Sequence, residues 1–460
     1  MKKLLFLILF LLLPKLCFGA IGATCVWEFR STATANMVNG GGYTSGGTDY
    51  SQQDAAQFVP TDLACLDTST TLTSATGGFT AAMVGNIIHI TAGTNFVVGW
   101  YEITVYTDTN TVTIDRTAAS VGLNATAGTG YVGGALSLNS TLDDEFFDQL
   151  VAGNIVYIKA GTYTFVENVN QQGLNGTSSN PFIVEGYNST RGDNPTTINR
   201  PTIAAGAYEF THGQMWQFYN LIITITGTYG LYSTNNSSAI NCKSTNSSVS
   251  ANRAAFTFTN QSIIARCEGI STNGYGFYII NSGVALSCYA HDSSKGYRLG
   301  TSGVYVINSI ADTCTVGIDF NADYSSSIDN TIYNCTTGIL ETPSGYFEAV
   351  VNNIITNCAT GMSWGTTQKR GYIDYNCWNN TTDTVNVTKG DHDITANPLL
   401  TDPANGDFTL QSGSPCLDAG MQVGVNQGAV GDYKVNIGVD QDDVTVAGAG
   451  GGRGARFINN

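Results

Sequence analysis

The sequence predicts an all-β fold, a right-handed parallel β-helix (solenoid), and a regular glycine repeat is the main reason. In the second half of the chain this glycine recurs at steps of 20, 21, 21 and 23 residues. A large apolar residue follows each of these glycines, and the apolar runs between them are strand-length rather than helix-length. A fixed period of this size is typical of stacked units, each forming one turn of a coil. The glycines are Gly276, Gly296, Gly317, Gly338 and Gly361, followed by Phe277, Tyr297, Ile318, Ile339 and Met362.

The amino terminus has the pattern of a secretory signal peptide, predicted over residues 1–22. Lys2 and Lys3 precede an apolar stretch at 4–13, and small residues follow at Gly19 and Ala20. This apolar stretch is too short for a helix to cross a hydrocarbon core of ~30 Å, and no later segment is long and apolar enough. We therefore expect an exported protein with no membrane span, secreted or located at the cell surface.

Residues 23–138 lack the later period and predict a small β-rich subdomain at the amino end. Strand-like runs at 87–91, 101–106 and 111–115 alternate with turns that are rich in Gly, Thr and Asp. This texture is typical of an antiparallel sheet attached to the start of the coil, or inserted there.

A capping helix is predicted directly after this subdomain. The Ser140 hydroxyl precedes a run of acidic residues at 143–145, which is the pattern of a helix start. We expect its apolar face to cover the open amino end of the coil, where unpaired strand edges would otherwise invite aggregation. That face comprises Leu142, Phe146, Phe147 and Leu150.

The β-helix is predicted over residues 139–440, followed by a glycine-rich flexible tail at 441–460. Three segments resemble stretches of the pectate-lyase-like superfamily of right-handed β-helix proteins. They are Lys159-Ala160-Gly161-Thr162-Tyr163, Asn180-Pro181-Phe182-Ile183-Val184-Glu185-Gly186-Tyr187 and the closing Gly413-Ser414-Pro415-Cys416-Leu417-Asp418-Ala419-Gly420. The resemblance implies the fold and leaves the activity open, since the superfamily includes lyases, hydrolases, phage tail spikes and adhesins.

Six cysteines precede the repeated glycines and are predicted to occupy a single repeat position. Stacked once per coil, they would lie ~4.8 Å apart as a column of buried thiols. Paired disulfides are the alternative, and Cys25 and Cys65, outside this column, are the better disulfide candidates. The six are Cys242, Cys267, Cys288, Cys314, Cys335 and Cys358.

No cofactor is expected, although Ca²⁺ remains open. The chain has no C-x-x-C pair and only four histidines, which argues against a zinc site. Asp312, Asp319, Asp323 and Asp329 are close in sequence, but they fall at different repeat positions. Asp440, Asp442 and Asp443 are a second acidic group that could hold a calcium ion.

Aligning the coils on the repeated glycine predicts a column of outward side chains. If the residue after each glycine points inward, the next points outward. This column is Tyr278, Arg298, Asp319, Leu340 and Ser363, extended upward by Tyr232. The cysteine-to-glycine gap is longer in the two coils around Gly276 and Gly296, so we expect projecting loops at 268–275 and 289–295 that wall a groove.

Candidate site residues cluster in these two coils. Lys295, Arg298 and His291 are the residue types that a polysaccharide lyase uses as a base or to neutralise a uronate. Tyr232, Tyr275 and Tyr278 could stack on sugar rings, and Asp319 could bind substrate beside Arg298. The alternatives are an ordinary surface ion pair and tyrosines that simply fit a pleated surface.

The charge balance limits the class of partner. Removing the predicted signal peptide takes away three of 19 basic residues, so 16 remain against 35 acidic residues, a net charge of −19. A chain this acidic lacks the basic face that nucleic acid binding needs. We expect a surface β-helix protein, exported or virion-type, that contacts an extracellular polysaccharide or cell-surface glycan without catalysis, as a homotrimer if virion-type. The alternative is a lyase of uronate-containing polysaccharide that acts in a groove on the β-helix.

Overall fold

The computed structural model describes residues 21–34, 37–321, 323–341, 348–365, 371–421 and 436–439, and the backbone of strands Thr445–Ala447 and Gly454–Arg456. Two compact units are present. The first comprises Met1–Ser137 with Glu145–Val156, and the second Leu138–Asp144 with Tyr157–Asn460. Of the predicted signal peptide, only residues 21 and 22 are described. Asp440, Asp442 and Asp443 lie outside the described residues. The predicted domain bounds stay a prediction.

The first unit contains a closed six-stranded antiparallel barrel. Around the barrel the strands run Leu63–Cys65, Thr71–Ser74, Thr111–Ile114, Gly99–Asp108, Ile87–Thr94 and Ala125–Val132. Its interior is apolar and includes the buried residues Leu72, Ile88, Ile103 and Val112. A short antiparallel pair, Val26–Phe29 with Gly42–Tyr43, and a 3-10 helix, Ala81–Met83, complete the unit. The small β subdomain predicted from residues 23–138 is confirmed as a β structure.

A single α-helix, Asp143–Asp148, forms within the part of the chain that the structure describes. Phe146 is fully buried, and its ring centroid lies 5.0 Å from those of both Trp27 and Phe29. Leu142 is 40% exposed, so it does not share the buried face that the sequence suggested for it. The capping role of this helix stays a prediction. None of the described helices is long and apolar enough to cross a membrane.

The second unit is a parallel β-helix built from three sheets, which confirms the predicted fold class. The chain passes through sheets I, II and III in turn, and each strand pairs in parallel with the strand one coil later. Sheet I comprises Ile155–Lys159, Phe182–Tyr187, Trp216–Tyr219, Ser238–Ile240, Ile263–Ala265, Val284–Leu286, Tyr305–Ile307, Ser326–Ile328, Ala349–Val351 and Tyr372–Asp374. Sheet II comprises Thr162–Thr164, Thr202–Gly206, Ile222–Ile225, Lys243–Asn246, Glu268–Ser271, Tyr289–His291, Ile310–Asp312, Thr331–Tyr333, Ile354–Thr356, Cys377–Asn379 and Ile394–Thr395. Sheet III comprises Val169–Gln171, Phe210–His212, Tyr229–Ser233, Ala254–Thr259, Tyr275–Ile280, Lys295–Leu299, Val316–Phe320, Thr337–Glu341, Thr360–Trp364 and Thr382–Val385.

Two 3-10 helices and two antiparallel strand pairs are the remaining described elements of the second unit. Thr197–Asn199 and Pro403–Asn405 are 3-10 helices. Leu400–Asp402 pairs antiparallel with Asp407–Leu410, and Thr445–Ala447 with Gly454–Arg456 inside the predicted glycine-rich tail.

The repeated glycine is explained by the close approach of successive coils in sheet III. A Cβ atom on Gly296 would lie 2.6 Å from the carbonyl oxygen of Gly317, and one on Gly317 would lie 2.6 Å from that of Gly338. Real Cβ atoms are not found that close to an oxygen, so only glycine fits this position. The residues that follow the glycines, among them Tyr297 and Ile318, are fully buried and point inward as predicted.

The six cysteines form two columns of three, so the prediction of one repeat position is wrong. Cys242, Cys267 and Cys288 stand between sheets I and II, whereas Cys314, Cys335 and Cys358 stand between sheets II and III. Both corners bend at a residue with positive φ, such as Asn241 before Cys242 (57°) and Asn334 before Cys335 (54°). Because both corners place a cysteine directly after a residue with positive φ, and Asn-Cys occurs at both, the sequence did not separate them.

All ten cysteines of the described residues are buried, and the six of the two columns are free. The column of buried thiols is therefore present in two parts, without the paired disulfides that were the alternative. Of the two better disulfide candidates outside the columns, Cys65 forms no disulfide.

The carboxy-terminal segment folds back over the outer face of sheet II. Leu400, Phe408 and Cys416 belong to one buried cluster with sheet II residues, among them Tyr289 and Cys377. The Phe408 ring centroid lies 6.4 Å from that of Tyr289. The outer face of sheet II is consequently covered here, which the repeat pattern did not predict.

Candidate functional site

The outer face of sheet III carries the predicted column of side chains. Tyr278, Arg298, Asp319 and Leu340 occupy the same register position on four successive coils. Tyr232 stands in the same column, but Thr257 separates it from Tyr278. We call Tyr275, Tyr278, Lys295, Arg298 and Asp319 the sheet III cluster.

The predicted projecting loops at 268–275 and 289–295 are not present, and this correction removes the predicted groove walls. Glu268–Ser271 and Tyr289–His291 are strands of sheet II, and the turns that follow them are as short as those of later coils. The longer gap from cysteine to glycine arises because Cys267 and Cys288 stand at the earlier corner of the coil. The glycine steps are nearly constant, so no extra residues exist to form a loop.

A buried carboxylate holds the two cations of the sheet III cluster. Asp319 is fully buried, and its Oδ2 atom accepts a hydrogen bond of 2.5 Å from Nζ of Lys295. Nη1 of Arg298 lies 3.5 Å from the same oxygen. The other oxygen, Oδ1, has no hydrogen-bond partner among the described residues. Asp319 thus positions Lys295 and Arg298 and keeps one buried acceptor unused.

Two tyrosine rings flank the guanidinium group of Arg298. Its carbon lies 5.0 Å from the ring centroid of Tyr275 and 5.7 Å from that of Tyr278, within reach of a cation–π interaction. Nη1 also donates to the Tyr275 hydroxyl at 3.1 Å, and that hydroxyl donates to the side chain of Asn252. Burial raises the pKa of Tyr275, Arg298 opposes that rise, and Asp319 adds to it, so the phenol stays protonated at neutral pH.

Arg298 keeps donors for a ligand. Within the described part of the chain, the hydrogen bonds of its side chain involve Nη1 alone, to Tyr275 and Asp319. The side chain is 22% exposed, so Nε and Nη2 can be reached from solvent. The guanidinium group is therefore fixed in place without its hydrogen-bonding capacity being used up.

The position of the Tyr278 ring depends on Gly300, which the sequence analysis did not single out. A Cβ atom on Gly300 would lie 2.6 Å from Cε2 of Tyr278, so the ring occupies the space that any other side chain would fill. Tyr232, by contrast, packs against Tyr229 with ring centroids 5.1 Å apart. Burial raises its pKa. Tyr232 therefore belongs to the same face but not to the cluster around Arg298.

His291 lies on sheet II rather than on the sheet III face. It is 4% exposed, its Nε2 lies 3.0 Å from Oε1 of Glu268, and its Nδ1 lies 2.8 Å from Oδ2 of Asp292. Burial disfavours the charged ring and by itself would lower the pKa of His291. The carboxylates of Glu268 and Asp292 outweigh this effect and raise the pKa above 6.5. An imidazolium with both N–H groups bound to carboxylates has no free nitrogen to accept a proton.

Glu268 and Lys243 are charged residues of this region that the sequence reading missed. Nζ of Lys243 lies 2.7 Å from Oε1 of Glu268, one coil away in sheet II. Glu268 is the first residue of its strand, and Lys243 is the first residue of the strand one coil earlier. The alternation of inward and outward side chains in sheet II could therefore have revealed Glu268. No group of three or more His, Cys, Asp or Glu side chains among the described residues is arranged to hold a metal ion, and the question of Ca²⁺ stays untested.

Three parallel sheets wound in succession define the fold as a parallel β-helix. Its opening and closing segments resemble those of the pectate-lyase-like superfamily. No known protein family matches the sequence, and no curated protein matches it either.

The solved structures with similar folds include polysaccharide lyases and a mannuronan epimerase, all at low identity. The pectate lyase Pel9A matches with a TM-score of 0.46 and 14% identity, covering 67% of this chain and 91% of its own. An alginate lyase from Paenibacillus sp. str. FPU-7 matches with a TM-score of 0.38 and 12% identity, covering 55% and 96%. The A-module of the mannuronan C-5 epimerase AlgE4 from Azotobacter vinelandii matches with a TM-score of 0.34 and 12% identity, covering 52% and 83%.

Proposed function

We propose that this protein is an exported or virion-type surface protein that binds a glycan on the outer face of sheet III without transforming it. The observation that carries this proposal is Arg298, which is held between two tyrosine rings with donors left for a ligand. The partner is an extracellular polysaccharide or a cell-surface glycan. With a net charge of −19 on the predicted mature chain, a nucleic acid partner is not proposed.

The sheet III cluster offers the complementary groups that a sugar needs. The Tyr278 ring presents an apolar face, and the free N–H groups of Arg298 can donate to hydroxyl or carboxylate oxygens. These groups are fixed before binding by hydrogen bonds and ion pairs inside the protein. Preorganisation of this kind lowers the entropic cost of binding.

The same contacts favour binding over catalysis. A lyase needs an unprotonated base near neutral pH. Lys295 is ion-paired to Asp319 at 2.5 Å, and Arg298 lies 3.5 Å from the same carboxylate oxygen. His291 is enclosed by Glu268 and Asp292 on another sheet.

Cleavage of a uronate-containing polysaccharide is the second candidate function. The observation in its favour is that Lys295 and Arg298 converge on one point of an outer face, where they could neutralise a substrate carboxylate. This candidate is tested by incubating the protein with alginate, pectate and chondroitin while following the absorbance of unsaturated product. Steady product formation that Lys295→Ala abolishes would replace the binding proposal with a lyase.

Binding is tested on a glycan array, followed by titration of the best ligand with two variants. Arg298→Ala is expected to weaken binding at least tenfold, because it removes the donors and both ring contacts. Arg191→Ala is the matched control, since Arg191 also lies over a tyrosine ring, 4.9 Å from that of Tyr157, and loses the same charge. Equal affinity of wild type and Arg298→Ala would place the glycan elsewhere.

A further inference from the structure

Two strands of sheet III begin with the same sequence pattern, which is a tyrosine, a glycine, an apolar residue and a second tyrosine. The apolar residues Leu231 and Phe277 are fully buried, so the tyrosine that follows each of them points outward. Ring contacts bring the first tyrosine of each pattern to the same outer face. We call these the upper pair, Tyr229 and Tyr232, and the lower pair, Tyr275 and Tyr278.

The two tyrosine pairs stand two coils apart on one face. The ring centroids are 5.1 Å apart in the upper pair and 5.5 Å apart in the lower pair. Ala254, in the coil between the pairs, aligns with Tyr229 on one side and with Tyr275 on the other. Neighbouring strands are ~4.8 Å apart, so the pairs are separated by ~10 Å along the axis. This separation is about the length of two linked pyranose rings.

The coil between the pairs carries small side chains. Ala254 and Thr257 occupy the two positions that the tyrosines hold in the coils on either side. Both are almost fully buried, whereas Tyr229, Tyr232 and Tyr278 remain partly exposed. The outer face is therefore lower between the two pairs, which stand as ridges with a dip between them.

A projecting loop borders this dip. Residues 247–253 link sheets II and III in this coil, and they number seven where the coils before and after use three. Val249 in this loop is 90% exposed. The side chain of Asn252, at the other end of the loop, accepts a hydrogen bond from the hydroxyl of Tyr275. The loop consequently forms a wall on one side of the dip and is tied to the lower pair.

Cations follow the lower pair in the next coil. Lys295 aligns with Tyr275, and Arg298 aligns with Tyr278. Four successive coils thus present tyrosines, small residues, tyrosines and cations at the same two positions. Because this order runs along the axis and not across the sheet, a ligand that meets all of it must be extended along the axis.

We propose that the upper pair is a second glycan subsite, which holds the same linear glycan that contacts Arg298. This inference rests on the proposed function of the sheet III cluster and adds the length and direction of its ligand. Three coil steps, or ~14 Å, separate the upper pair from Arg298, so the ligand is a linear chain of about four sugars or more. The tyrosine rings stack on apolar sugar faces, and the dip receives the substituents between them. A single terminal sugar is too short to reach both ends.

The proposal is tested by measuring affinity against ligand length, with oligosaccharides cut from the best glycan on the array. For the wild type, affinity is expected to rise with length up to about four sugars and then to level off. Tyr232→Ala is expected to weaken the binding of long oligosaccharides about tenfold. The affinity for the shortest oligosaccharide that binds should stay unchanged, because that ligand occupies the lower pair alone. Tyr232→Phe keeps the ring and should bind like the wild type.

Tyr305→Ala is the matched control, because Tyr305 is 40% exposed on sheet I, a different face of the coil. It should leave the affinity unchanged at every length. If Tyr232→Ala binds long oligosaccharides as the wild type does while Arg298→Ala still weakens them, the second subsite is overturned and the proposed function stands. A wild type that binds no glycan would overturn both.

Discussion

Lys295 and Asp319 stand on neighbouring coils of sheet III, and 2.5 Å separates Nζ of the first from Oδ2 of the second. Asp319 is fully buried, whereas the Lys295 side chain is 21% exposed. The carboxylate consequently depends on the cation more than the cation depends on the carboxylate.

This asymmetry predicts unequal effects of removing either partner. Lys295→Met leaves a buried carboxylate with only the more distant Arg298, and we expect it to lower the free energy of unfolding by about 1–3 kcal/mol. Asp319→Asn leaves cations that can turn to solvent, and we expect a loss of about 1 kcal/mol or less. The measurement is urea unfolding of the two variants. A larger loss of unfolding free energy for Asp319→Asn than for Lys295→Met would contradict the view that the carboxylate depends more on the cation.

The stability of the protein should depend on pH through His291. Its folded pKa lies above 6.5, so its contribution is fully present below pH 6.5 and is lost as the pH rises through the folded pKa. Burial opposes ionisation of Glu268, but His291 and Lys243 outweigh it and lower its pKa, so its contribution is lost only as the pH falls below about 4.5.

The measurement is urea unfolding of wild type and His291→Gln between pH 5 and pH 9. The stability difference is expected to be largest between about pH 5 and 6.5 and to shrink at higher pH. His392→Gln is the control, because His392 also pairs with a carboxylate, that of Asp374, but is 58% exposed and screened by solvent. A difference that grows with pH would mean that His291 is neutral in the folded protein.

The repeated glycines of sheet III predict that adding one methyl group at these positions lowers the free energy of unfolding. Gly296→Ala would place Cβ 2.6 Å from the carbonyl oxygen of Gly317, so the coils must separate, and we expect a loss of about 1–3 kcal/mol. Gly173→Ala is the control, since a Cβ there meets nothing within 4 Å. Thermal unfolding of both variants should show a lower Tm for Gly296→Ala alone.

The corner between sheets I and II predicts that serine can replace cysteine better than alanine can. The N–H of Cys242 donates to Sγ of Cys267 at 3.4 Å, and further along the same column the N–H of Cys288 donates to Oγ of Ser309 at 3.0 Å. Cys267→Ser keeps an acceptor, so we expect a cost below about 1 kcal/mol.

Cys267→Ala, in contrast, leaves the amide of Cys242 buried without an acceptor, and we expect a loss of about 1–3 kcal/mol. Chemical unfolding of the two variants is the measurement. Equal costs would show that the thiol contributes by packing and not by accepting a hydrogen bond.

The β-helix and the alignment of its coils could be predicted from the sequence alone. The period of the glycines reflects a contact repeated in every coil, that of Gly296 with Gly317 for example, and a contact that repeats leaves a periodic trace in the sequence. The same register correctly placed Arg298 beside Asp319 and turned Tyr297 inward. Local order within one coil, and the step to the next, are short-range properties that a single sequence encodes directly.

The corner that each cysteine occupies and the faces that are covered follow from tertiary packing and could not be predicted from the sequence. Cys288 and Cys314 each follow a small hydroxyl residue with positive φ, at two different corners, so spacing alone produced loops that the fold does not contain. The burial of His291 between Glu268 and Asp292, and the cover that Leu400 and Phe408 give to sheet II, depend on which coil or segment lies alongside. Such contacts join residues that share no period, and they are fixed by packing in three dimensions rather than by any repeat along the chain.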